Sequence, residues 1–96
     1  MKKEINNDQL RKNPYYYKLL ANYGIVLAKK KENVRAHYYL ERADQWAQKH
    51  FIEDVALLDG FSKICKSLGY NEKAFKLAIR ALKISPSKEN AKKFFQ

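Results

Sequence analysis

The chain repeats itself at an offset of 38 residues, and this limits its possible folds more than any other feature. Under that shift Leu20 meets Leu58, Tyr23 meets Phe61, Gly24 meets Ser62 and Leu27 meets Cys65. Further along, Asn33 meets Asn71, Ala36 meets Ala74, Leu40 meets Ala78, Arg42 meets Arg80 and Ala43 meets Ala81. A period of this length suits one supersecondary unit, which buries its apolar face only by stacking on a neighbour. The chain should therefore be two copies of one small motif packed side by side.

That motif is helical. From Pro14, which starts a helix where its missing N–H does no harm, apolar residues fall at 17, 20, 23, 24, 27 and 28, and the pattern runs to about Lys30. A second helix, capped by Asn33, should run from about Val34 to His50 with Ala36, Leu40, Ala43 and Ala47 on one face. Asp54 is placed to cap a third helix, about Val55 to Leu68, that turns Val55, Leu58, Phe61, Ile64 and Cys65 inward. The fourth follows Gly69 and Asn71 and ends before Pro86, with Ala74, Ala78 and Ala81 as a small-residue face that admits a neighbouring helix. No segment alternates with a period of two, so strands are not expected. Residues 1–13 read as a flexible polar segment, residues 14–96 as one domain, and residues 87–96 as a short terminal helix.

In residues 15–86 the order Leu58, Phe61-Ser62, Cys65, Gly69, Ala74, Ala78, Ala81, Pro86 resembles the tetratricopeptide repeat. Leu20, Tyr23-Gly24, Leu27, Ala36, Leu40 and Ala43 follow the same order, with Lys31 in place of the turn glycine and Gln48 in place of the closing proline. The resemblance implies an all-α fold of two antiparallel hairpins, about 15–50 and 53–86, plus the terminal helix as a cap. Four extra residues near "AQKHF" should lengthen the second helix by about one turn. A generic four-helix bundle would satisfy the same apolar periodicity.

Composition narrows function by exclusion. Ninety-six residues, 46 % of them apolar, support one small core, and the single cysteine excludes an internal disulfide. No apolar run reaches the length of a signal peptide or membrane span, so a cytoplasmic protein with no membrane insertion is expected. No phosphate-cradling glycine loop or catalytic constellation occurs, and neither a cofactor nor a metal site is expected. His50, Glu53 and Asp54 have loosely metal-like spacing but fall at a helix junction, where caps and solvated charges belong. Cys65, in apolar phase between Phe61 and Leu68, reads as a core thiol, and Trp46 and Phe75 read as core aromatics. Of Tyr38 and Tyr39, which point differently on a helix, one must be exposed.

What remains is surface recognition by a non-enzymatic chain. The net charge is +10, and residues 60–96 carry nine basic against two acidic side chains, so an acidic partner is drawn to that third. The resemblance implies a concave groove lined by the first helix of each repeat, here Lys18, Asn22, Ile25 and Lys29, then Asp59, Lys63 and Lys66. Such grooves receive a protein or peptide segment, and the lysines suit an acidic one. Ala21 and Ile25 stand where a family subset places the lysine and asparagine that grip a terminal carboxylate, so that chaperone-docking role is not implied. Small secretion chaperones and peptide-sensing regulators both fit the resemblance. Lys73, Lys76, Arg80 and Lys83 form a second basic row, expected on the outer side of the fourth helix, where nucleic-acid phosphates are the alternative ligand and plain solvation the simpler reading. Two repeats are few for a free-standing array, so self-association or a tight heterologous complex is expected.

Overall fold

A computed structural model describes Asn13 and residues 15–85; the polar N-terminal segment and the terminal helix expected at 87–96 lie outside that range. The described residues form four helices and no strand: α1 (Tyr16–Lys29), α2 (Asn33–Lys49), α3 (Val55–Ser67) and α4 (Asn71–Ile84). The first three helices stop in the same way. The residue just past each end takes the left-handed conformation, Lys31 at φ 66°, Phe51 at 58° and Gly69 at 84°. The chain then folds back so that N–H groups reach the last free carbonyls: Glu32 to Leu27 at 2.9 Å, Ile52 to Ala47 at 2.8 Å and Tyr70 to Cys65 at 2.8 Å. Only the third site has the glycine for which this conformation carries no Cβ penalty.

Phe51 is 93 % exposed, so its ring gives almost no burial in return for that strain. Replacing Lys31 or Phe51 with glycine should therefore raise stability by about 0.5–1 kcal/mol, the relief of a left-handed L-residue less glycine's extra chain entropy. Urea unfolding of the two variants reads this directly, and a loss of stability at both would contradict it.

Starts are less uniform than stops. Asp54 caps α3, its carboxylate accepting from the Leu57 N–H at 3.1 Å, as expected. Asn33 and Asn71 do not cap; each is the first helical residue, behind Glu32 and Tyr70, and neither helix start has a side-chain cap bond. The longer second helix is present, α2 having 17 residues against 14 in α4.

α1 packs along α2 and α3 along α4, and the hairpins join chiefly where α2 meets α3, with α1 touching α3 more lightly. Ala36, Leu40, Ala43 and Ala47 are buried together, as are Leu58, Phe61, Ile64 and Cys65. Three expected positions are corrected. In α1 the buried set is Tyr17, Ala21, Gly24 and Leu27, while Tyr23 is exposed. In α4 Leu77 is buried and Ala78 is half-buried, so the close-packed stripe is Ala74, Leu77 and Ala81. Phe75 is 54 % exposed, because it lies one residue beyond the buried Ala74 and points away from the hairpin's interior.

At one point the offset of 38 also holds in three dimensions. A Cβ on Gly24 would stand 3.2 Å from the Ala36 carbonyl oxygen, and the equivalent Ser62 donates its hydroxyl to the Ala74 carbonyl at 2.9 Å. Both hairpins close at the same point with a small residue against the same backbone group.

Candidate functional site

α1 and α3 touch lightly, and the residues expected to line a groove lie on these two helices. Lys18, Asn22 and Lys29 on α1 and Lys63 and Lys66 on α3 are exposed. Among the described residues none of these four lysines takes part in an ion pair. Ile25 is half-buried and packs on the core. The offset pairs Lys63 with Ile25, but pairs Asp59 with Ala21 and Lys66 with Ala28, both of which turn toward the core in α1. Within α3 itself Asp59, Lys63 and Lys66 fall at i, i+4 and i+7 and so share one face, Asp59 half-buried and the two lysines exposed.

The second basic row is not the outer row expected. Arg80 points toward α2 and grips Asp44 with both nitrogens, Nη1 to Oδ2 and Nη2 to Oδ1, each at 2.9 Å. Gln48 adds a third hydrogen bond to Asp44 Oδ2 at 2.9 Å. Lys73 reaches the same helix, its Nζ 2.6 Å from Glu41 and 3.2 Å from His37 Nε2. The physical reason is volume: with no backbone contact between α2 and α4, long side chains fill the gap, and cations from α4 meet carboxylates from α2. Lys76 pairs with Glu72 along its own helix, and Lys83 stays exposed. Three of the four cations are thereby paired within the chain, two of them across to α2.

Below this joint a cleft of about 390 Å³ opens between the hairpins, with Asp44 and Arg80 on one wall, Leu57 and Leu58 on another and Phe51 at the lip. No protein-family model, curated protein or solved structure matches the chain.

Several residues singled out for chemistry have structural work instead. Asp54 also accepts from the Tyr17 hydroxyl at 3.1 Å, which with burial raises that phenol's pKa. His50 lies flat on Trp46, ring centroids 3.8 Å apart, and Trp46 stacks on Tyr17 at 5.8 Å. Cys65 is fully buried, and desolvation pushes its thiol upward, away from the thiolate a nucleophile needs. His37, edge-on to Phe61 and Tyr70, is held below its ordinary pKa by burial and then by the Lys73 charge. Among the described residues no three His, Cys, Asp or Glu side chains cluster as metal ligands. No described helix is long and apolar enough to cross a membrane.

Sequence reasoning missed Asp44, the one buried charged residue among those described. The signal was present: Asp44 lies four residues after Leu40, in phase with the buried face of α2, and an acid there calls for a cation nearby.

Proposed function

We propose that the chain is a non-enzymatic protein- or peptide-binding module of tetratricopeptide-like design, an adaptor or small chaperone. Its basic α1–α3 face takes an acidic segment of a partner. The observation that supports this most is that Lys18, Lys29, Lys63 and Lys66 stay exposed and unpaired among the described residues, while Lys73 and Arg80 are tied to carboxylates. Charge left unpaired on a face between two helices is available for steering and for register. The equivalent closures at Gly24–Ala36 and Ser62–Ala74 support a repeat rather than a generic bundle. The nucleic-acid reading would have to rest on Lys83 and on Lys76, whose pair with Glu72 is fully on the surface, since Lys73 and Arg80 are engaged with α2.

The test is a charge reversal. Lys63→Glu with Lys66→Glu should leave the fold intact and lower affinity for the protein that co-purifies from the native host by about tenfold at low salt. The loss should shrink as salt rises, since exposed pairs contribute about 1 kcal/mol each and are screened over about 10 Å at 0.1 M. Lys76→Glu with Lys83→Glu is the control and should change protein binding little. If the control pair governs binding and the groove pair does not, the groove reading fails, and retention of labelled RNA by the parent chain would favour the alternative.

A further inference from the structure

The two hairpins differ most where their first helices should agree. In α3, Leu57, Phe61 and Ile64 form a stripe that is 3 %, 1 % and 6 % exposed. Its cover is α2: Phe61 meets the His37 ring at 5.4 Å, and Leu57 lines the same cleft as Asp44 and Ala47. The offset of 38 places Leu19, Tyr23 and Val26 at the same three positions of α1. There they are 56 %, 42 % and 46 % exposed. The apolar stripe that seats a helix on the second hairpin is repeated on the first with no described helix over it.

The rim repeats too. Lys73 and Arg80, which reach from α4 to Glu41 and Asp44 on the covering helix, correspond to Arg35 and Arg42 on α2. Arg35 reaches the exposed stripe itself, and Arg42 lies beside the exposed Tyr38 of its own helix. Arg35 donates to the Tyr23 hydroxyl at 3.0 Å and pairs with Glu32 at 2.7 Å, and the Arg42 guanidinium lies 5.5 Å from the Tyr38 ring centre. Exposed tyrosines interleaved with arginines are also the composition that dominates protein interface hot spots.

We propose that Leu19, Tyr23 and Val26, rimmed by Arg35 and Arg42, are a docking face for a helix of another protein. That helix carries a small apolar strip edged by carboxylates, as α2 carries Glu41 and Asp44 against α3 and α4. The chemistry disfavours a second copy of this chain. Stacking end to end would place α4 on the stripe, and α4 has Phe75, Ile79 and Leu82 where α2 has His37, Glu41 and Asp44, so the arginines would meet no carboxylate. Two copies would also bring +10 against +10. The stripe adjoins Lys18, Asn22 and Lys29 on α1 but includes none of the lysines, and its argument does not depend on the reading given to them.

The probe is a synthetic peptide of residues 33–49 bearing Arg35→Gln and Arg42→Gln, titrated by fluorescence anisotropy into the full chain at low salt. Saturable one-to-one binding is expected. Leu19→Asp with Val26→Asp in the chain should weaken it at least tenfold, while circular dichroism stays unchanged because both side chains are exposed. Arg35→Glu with Arg42→Glu in the chain should weaken it about tenfold, and Glu41→Lys with Asp44→Lys in the peptide should restore it. Lys63→Glu with Lys66→Glu should leave it unaltered. Absence of saturable binding, or binding indifferent to both the stripe and the arginine variants, overturns the proposal. So does sedimentation that finds the parent chain dimeric through Leu19 and Val26, since the occupant is then a second copy.

Discussion

Replacing Arg80 with methionine should destabilise the fold by about 2–3 kcal/mol, less than the roughly 3–5 kcal/mol of breaking a fully buried pair because Arg80 is itself 38 % exposed. The cost lies with the partner left behind. The Asp44 side chain is 8 % exposed, and without Arg80 its carboxylate keeps only the Gln48 hydrogen bond. In a domain of this size such a loss lowers Tm by roughly 10 °C or more. Arg80→Lys should recover only part of it, since an ammonium cannot reproduce the two parallel bonds to Oδ1 and Oδ2. The double variant Asp44→Leu, Arg80→Met removes both charges while keeping bulk, and should return to within about 1 kcal/mol of the parent. Thermal melts of the four proteins decide the matter: a double variant as unstable as Arg80→Met alone would show that the joint needs the charges themselves.

The same pair explains how the sequence could be legible in its helices and misleading in its charges. Period and phase identify α1 to α4 because burial of Ala36, Leu40, Phe61 and Cys65 requires those spacings whatever the neighbours are. Charge carries no such periodicity. Lys73, Lys76, Arg80 and Lys83 look like one solvated row on a helical wheel, but the wheel ends at the helix surface. Only the placement of α2 beside α4 shows that Glu41 and Asp44 come within reach of two of them. The excess of positive charge in residues 60–96 is therefore partly answered from within the chain.

The turns were legible for a similar reason and in similar measure. Gly69 marks its own turn, whereas Lys31 and Phe51 adopt the same conformation with no residue-type signal, held by carbonyls that need partners. Helix phase alone makes Lys18, Lys29, Lys63 and Lys66 solvent-facing, and they are exposed, but the half-burial of Asp59 among them needed the hairpins in place. The exposure of Leu19, Tyr23 and Val26 was hidden by their resemblance to Leu57, Phe61 and Ile64. A repeat pattern records which face is meant to pack, and only the structure shows whether a described helix covers it.

Gly24→Ala should destabilise although alanine is the better helix former. The added Cβ would lie 2.8 Å from Leu40 Cγ and 3.2 Å from the Ala36 carbonyl oxygen, and Leu40 is fully buried with no room to yield. Overpacking of this kind costs about 1–3 kcal/mol, and the helix propensity gained returns at most about 1 kcal/mol of it. The second hairpin shows the complementary solution, since Ser62 carries a Cβ at the equivalent place and the offset sets Ala78 where the first hairpin has Leu40. Leu40→Ala alone should cost about 3 kcal/mol through lost burial and a cavity. Gly24→Ser with Leu40→Ala rebuilds the second hairpin's pair in the first, with a hydroxyl placed to donate to the Ala36 carbonyl as Ser62 donates to that of Ala74. Chemical denaturation of the two single variants and the double should show the double less destabilised than their sum by about 1–2 kcal/mol. Strict additivity would mean that Gly24 is small for some reason other than Leu40.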